Sequence, residues 1–398
     1  MRWISVGVVV LCLADGLIAA EAPLVEKYLH SGQLAKGQQV LESALDATPI
    51  DDELRFSLAF LKFVRGVERL GQSLHQYGCR SENTRLPFVR LPIPTNPDPS
   101  QITYADFRRI LIGFQNELGA VETLLAAVTD EGVTLPLRLA DVHLDLDGDG
   151  LPTDTLTDIL RKLMRSNPEF KDNPGLLVCF DRGDVAWLRA YCHLLMGLID
   201  FQLAFDLEQS FNITADELFA KPKTPFKGSE KQKVNRLIEA GKIVTVSEPA
   251  RLNHFRLHLL AVCELNHETW KFIRAERDDD HEWLPNSKQK GVIGLPVTDA
   301  MIDAWLGMIN EVSGLLDGKK VIPAVIVGAI GPSVDDGFSI RKLLEDPPAK
   351  FEWERIAEEG PAVKYLDKTA KDVDMLKIIR VGQVFQNSLG VAYAAWFN

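Results

Sequence analysis

The chain has 398 residues, 46% of them apolar, with 44 Lys and Arg against 56 Asp and Glu and a formal charge of −12. That composition supplies a sizeable core, and the length suits one large domain or two to three ordinary ones. An acidic chain without a basic patch has no cations to replace phosphate counterions, so nucleic acid is excluded as a partner and an anionic membrane surface would repel it.

Residues 1–20 read as a secretory signal peptide. Met1-Arg2 is a minimal basic start, residues 3–13 are apolar, Asp15-Gly16 breaks the run, and Ile18-Ala19-Ala20 offers small residues for cleavage. The run is shorter than the roughly 20 residues a membrane span needs, and Leu11 before Cys12 does not fit a lipoprotein box. The expectation is export to the periplasm or the exterior, with no stable membrane insertion after cleavage. Four cysteines then remain: Cys79, Cys179, Cys192 and Cys263. An oxidising compartment allows them two disulfides in three pairings. Cys192 and Cys263, however, lie in apolar helical patterns where a buried thiol is equally ordinary. No pairing is selected.

Residues 21–78 read as a helical hairpin region with tight turns at Gly32 and Pro49, and with apolar residues spaced at three and four. Over 22–63 the pattern resembles a single tetratricopeptide-like helix pair, departing from it at Gly37 and Gln38. One repeat cannot bury its own faces, so the pair must pack on the rest of the chain or present a surface to a protein partner. Residues 79–101, with Pro87, Pro92, Pro94, Pro97 and Pro99, form an extended linker or excursion.

Residues 102–290 read as a mainly helical domain. Phe107, Ile110, Leu111, Phe114, Leu118, Val121, Leu124 and Leu125 recur at helical spacing behind a cap at Ser100 or Thr103. The period then becomes two. Leu135, Leu137 and Leu139, followed in the other phase by Val142, Leu144 and Leu146, predict a strand or hairpin that places Asp141, His143, Asp145 and Asp147 on one face. Leu156, Ile159, Leu160, Leu163 and Met164 return to helical spacing with Thr153 or Asp154 as cap. Long helices are expected at 184–207 and 250–273, and a basic loop at 222–229. Residues 291–398 read as a C-terminal α+β region with helices at 299–316, 339–344 and 372–383 and strands at 321–330 and 391–397. The fold class is therefore mainly α with minor β (α+β): helical hairpins and long helices packed with a few short strands.

One stretch calls for a specific chemistry. Asp145, Asp147 and Asp149 alternate, Gly150 follows, and residues 145–158 resemble the calcium loops of EF-hands, dockerins and thrombospondin type 3 repeats. The resemblance implies Asp145, Asp147 and Asp149 as first, third and fifth ligands, Gly150 as the turn glycine, a backbone carbonyl from Leu151, and a hydroxyl or water-bridged contact from Thr153. The twelfth position is Leu156, where an EF-hand has a bidentate glutamate. Asp154 and Asp158 flank it, so the loop would close with shifted geometry. The implied cofactor is one structural Ca²⁺, which would relieve the mutual repulsion of the carboxylates. The alternative is a solvated turn whose aspartates make Asx-turns.

His254 and His258 are spaced as on one helix face, as zinc sites require. Phe255-Arg256-Leu257 lies between them without a glutamate base, and residues 278–282 with His281 could add oxygens only by folding back. Gly-x-Ser-x-Gly, a Walker loop, Gly-x-Gly-x-x-Gly, His-Glu-x-x-His and Cys-x-x-Cys are absent from the sequence. Trp270, Trp283, Trp305, Trp353 and Trp396 fall mostly in apolar patterns and read as core. Over its whole length the pattern resembles secreted bacterial proteins to which no activity attaches. The expectation is an exported, non-catalytic structural or interaction protein with one calcium loop. The alternative is a secreted hydrolase of an envelope or extracellular polymer, with carboxylates or the His254/His258 pair in its site.

Overall fold

Side-chain caps set the starts of the long helices. In the computed structural model, which describes residues 22–81, 90–164, 175–330, 336–385 and 396–397, α1 (Leu24–His30) and α2 (Leu34–Ala47) precede α3 (Asp52–Gln76). The Asp51 carboxylate accepts the Leu54 N–H at the start of α3. Thr103 and Asp106 form a reciprocal capping box on α4 (Tyr104–Ala126), worth about 1 kcal/mol at such a site. Thr103, not Ser100, is thus the cap. The leader expected at 1–20 lies outside the described residues.

Next come β1 (Leu135–Arg138), β2 (His143–Leu144), β3 (Asp154–Thr155), α5 (Leu156–Met164) and β4 (Leu177–Phe180). Strand β1 pairs antiparallel with β4, and β2 with β3. A 3₁₀ turn at Leu139–Asp141 interrupts the alternation. Asp141 therefore sits in a turn and does not share a strand face with His143, as the period-two reading expected.

The centre of the molecule is α6 (Arg182–Ala204) against a later helix, α9 (Ala250–Ala275). Between them in sequence lie α7 (Glu208–Leu218), α8 (Glu230–Lys242) and β5 (Ile243–Thr245). Val185, Leu188, Cys192, Leu195, Ile199 and Leu203 of α6 are buried at spacings of three and four and face both α4 and α9. Each fully buried aliphatic side chain contributes roughly 1.5–3 kcal/mol. Gly197 permits the close approach, since a Cβ there would stand 3.2 Å from that of His258.

The C-terminal part contains α10 (Asp299–Asp317), β6 (Lys320–Val321), α11 (Ala324–Ile330), β7 (Gly337–Phe338), α12 (Ile340–Glu345), β8 (Lys350–Glu352), α13 (Trp353–Glu359), β9 (Leu366–Asp367), β10 (Lys371–Asp372) and α14 (Met375–Val384). Helix α10 packs on α9 and α14. The strands form two-stranded ladders, β5–β8 and β7–β9 antiparallel and β6–β10 parallel.

The strand expected over 321–330 is mostly helix. Only Val321 and Ile322 find partners; Pro323 has no N–H to continue a ladder, and its carbonyl instead accepts the Ile326 N–H at the head of α11. The strand expected over 391–397 lies outside the described residues except for Trp396 and Phe397, which are buried. Among the described residues no helix is long and apolar enough to cross a membrane.

Candidate metal centre

The acidic loop hangs from a two-residue ladder. Val142, Leu144 and Leu146 point into the core, while His143, Asp145 and Asp147 are half-buried on the other side. The ladder pairs Leu144 with Asp154, and the Leu156 N–H donates to the Val142 carbonyl at 3.0 Å. Leu156 is thus drawn back to the hairpin and packs on the core, which accounts for an apolar residue at the closing position.

Within the loop each aspartate is oriented by backbone amides. Asp145 accepts from the Gly148 N–H at 2.7 Å and the Gly150 N–H at 2.9 Å through its two oxygens. Asp147 accepts from the Asp149 N–H at 3.1 Å, and Asp149 from the Leu151 N–H at 2.7 Å. Gly148 and Gly150 have φ of 79° and 87°, in the left-handed region that glycine enters at little cost. Oxygens of Asp145, Asp147 and Asp149 lie within 4.8 Å of one another. An ionised carboxylate has about four lone-pair sites, so these bonds leave acceptor capacity for a cation.

The loop rests on α3. Gln72 donates to the Asp145 carbonyl at 2.9 Å, the Asp145 N–H donates to Glu68 at 3.0 Å, and Leu146 lies over Gly71. Pro152 sits against Gly32 in the α1–α2 turn. Burial raises the Glu68 pKa, and the Asp145 charge adds to it. Glu68 and Gln72 were not singled out from the sequence. The available signal was Glu68 itself, one charge in the buried stripe Leu61, Val64, Glu68, Gly71 and Leu74.

The remaining residues named from the sequence divide into those that join the loop and those that do not. Asp154 accepts the Leu146 N–H at 3.2 Å. Burial raises its pKa, and the charges of Asp147, Asp158 and Asp145 raise it further. Asp158 turns to Thr155 and Arg161. Thr155, rather than Thr153 or Asp154, receives the Asp158 N–H at the head of α5. The Leu151 side chain is exposed, and its carbonyl accepts the Thr153 N–H at 2.8 Å. Among the described residues no Lys or Arg forms an ion pair with Asp145, Asp147, Asp149 or Asp154; the adjacent ion pair is that of Arg161 with Asp158.

His254 and His258 do not form a site together. His254 is exposed. His258 Nδ1 lies 2.8 Å from His193 Nδ1, with Nε2 at 3.6 Å from Asp200, and His193 Nε2 lies 3.5 Å from Glu122. Arg189 and Arg251 neutralise the two carboxylates at 3.0 and 2.6 Å. The result is a polar tie joining α4, α6 and α9. Burial, then the His193 charge, lowers the His258 pKa. Residues 278–282 fold back onto β4, where the Cys179 N–H donates to the His281 carbonyl at 3.2 Å. Burial and Asp280 push the Cys179 thiol up to about 12, which leaves it a poor nucleophile.

No disulfide joins the four cysteines. Trp270, Trp283, Trp305 and Trp396 are buried, whereas Trp353 is exposed and stacks on Phe351. An open groove of about 720 Å³ beside α7 and α8, with Asn212, Phe226, Arg236 and Thr245 in its wall, contains neither histidine nor cysteine. The chain matches no protein-family model, no curated protein and no solved structure at a significant level.

Proposed function

We propose that the chain is an exported, non-catalytic structural or interaction protein in which one Ca²⁺ pins the β2–β3 hairpin to α3. Asp145, Asp147 and Asp149 supply the first ligands and Asp154 closes the loop in place of a residue at Leu156. Leu151 and Thr153 add a carbonyl and a hydroxyl. Asp158, turned to Arg161, is left out.

The observation that carries this reading is the convergence of three aspartate oxygens around two left-handed glycines, above a buried Glu68. Negative charge at that density is relieved by a hard cation with oxygen ligands, and extracellular modules hold Ca²⁺ at Kd values of about 10⁻⁴–10⁻³ M. The dispersal of His254 and His258 and the raised Cys179 pKa favour a non-catalytic role. A cleft of about 350 Å³ where α2, α3 and α4 meet, walled by Leu45, Leu58, Lys62 and Leu124, is where a protein partner would engage the N-terminal helices.

Thermal unfolding in millimolar Ca²⁺ and in chelator tests the role of the ion. At a Kd of about 10⁻⁴ M, 1 mM free Ca²⁺ adds about 1.4 kcal/mol, so chelation should lower Tm by about 2 °C without abolishing the fold. A D145N/D147N variant should lose the loop's share of that shift. Superimposable wild-type curves with and without Ca²⁺ would leave only an acidic turn.

A further inference from the structure

A second concentration of acid groups lies where α6 begins and α9 ends, far from the loop in sequence and built on other elements. Strand β4 delivers Asp181 as the cap of α6, where it accepts the N–H groups of Gly183 at 2.7 Å and Asp184 at 3.2 Å. The chain leaving α9 brings in Glu276, and Glu282 follows in a turn whose carbonyl accepts the Val292 N–H at 2.9 Å. Oxygens of Asp181, Glu276 and Glu282 lie within 4.8 Å of one another.

Two observations separate this cluster from an ordinary acidic surface. Asp184 is only 4% exposed; one of its oxygens accepts the Asp181 N–H at 3.1 Å, while Oδ1 is buried with no hydrogen-bond partner. The charges acting on Asp184 are those of Asp181, Glu276 and Glu282. Glu276 Oε1 is likewise buried and faces the Asp181 carboxyl, and burial and that neighbour raise the Glu276 pKa, while its other oxygen is taken by Gln289 at 3.2 Å. A glycine makes the convergence possible: a Cβ on Gly183 would stand 3.1 Å from Asp181 Oδ1 and 3.5 Å from Glu276 Oε1.

The neighbouring cation does not neutralise the group. Arg182 turns away to Glu268 at 2.6 Å and over the Phe272 ring at 5.1 Å. Among the described residues no ion pair reaches Asp181, Asp184, Glu276 or Glu282. Buried polar atoms are satisfied in the great majority of cases, and an unpaired carboxylate oxygen calls for an explanation, of which a bound cation is one.

We infer that Asp181, Glu276 and Glu282, with the buried Asp184 carboxylate behind them, form a second site for a hard divalent cation, Ca²⁺ in an exported chain, bound through carboxylate oxygens. The donor set is oxygen throughout, which suits Ca²⁺ over softer metals. The ion would tie the head of α6 to the chain leaving α9, at one end of the central helix pair.

Terbium(III), which binds through oxygen as Ca²⁺ does, reports this site because Trp283 adjoins Glu282 and Trp187 lies one turn beyond Asp184. The D145N/D147N variant, with the loop disabled, should still show tryptophan-sensitised terbium emission that Ca²⁺ displaces. D181N/E276Q should lower that emission at least tenfold; should it not fold, E282Q supplies the same comparison. Emission equal in wild type and loop variant, but lost in D181N/E276Q, would support this site and assign the sensitised signal to it alone. No sensitised emission in the folded loop variant, or emission untouched by D181N/E276Q, would overturn the second site.

Discussion

Glu68 and Gly71 make opposite demands on the acidic loop. Glu68 accepts the Asp145 N–H, yet its charge repels the Asp145 carboxylate. Gln at position 68 keeps an acceptor for that N–H and removes the charge. E68Q should therefore raise Tm in chelator and weaken Ca²⁺ binding, opposite signs that a merely destabilising change would not give. Melting curves with and without Ca²⁺ read both. Gly71 lies in a helix interior, where alanine normally gains up to about 1 kcal/mol. Here its Cβ would stand 2.7 Å from Leu146 Cδ2, and overpacking costs about 1–3 kcal/mol. G71A should thus be destabilising in urea unfolding, contrary to helix propensity. The aspartate spacing was legible in the sequence because the ligands are neighbours in the chain. Glu68 and Gln72 were not, because their partner is more than seventy residues away and only the docking of the hairpin on α3 brings it to them.

Among the elements, α10 shows how a buried charge is held. Glu311 is fully buried and takes salt bridges from Lys320 on β6 and Lys377 on α14, together with the Asp374 N–H at 2.9 Å. Burial alone would raise its pKa; these partners overcome it and hold the carboxyl at about 2, below the usual 4.5. A depressed carboxylate contributes stability that is complete above the unfolded value and is lost as pH falls toward the folded one. Wild-type stability should therefore decline between about pH 4.5 and 2 with a component that E311Q lacks. E311A, which removes the acceptor from two part-exposed lysines and from the Asp374 N–H, should cost roughly 1–3 kcal/mol at neutral pH. Helix α10 was legible because its apolar period runs through five turns. The two-residue strands were not, since a ladder that short has no period. The apolar run after Val321 misled for a related reason: Val and Ile favour strands only where a partner edge exists, and Pro323 ends the pairing.

At the scale of the molecule, buried residues form one connected cluster from Val25 in α1 to Phe397. Helix α3 packs on α2 and α4 at once, and α6 on α4 and α9. Unfolding followed by near- and far-ultraviolet circular dichroism should therefore give coincident transitions; an early loss of helix from the N-terminal pair would show it to be a separate unit. The mainly helical class was legible from periodicity, whereas the order of packing was not, because it depends on contacts such as Gly32 with Pro152 between segments distant in the chain. The loop lies at one of these junctions, between the α1–α2 turn, α3 and the β2–β3 hairpin. Calcium titration calorimetry on the wild type and on D145N/D147N tests its role most directly. The variant should bind one Ca²⁺ fewer than the wild type while keeping its helical content; an equal number bound by both would contradict a calcium ion at Asp145, Asp147 and Asp149.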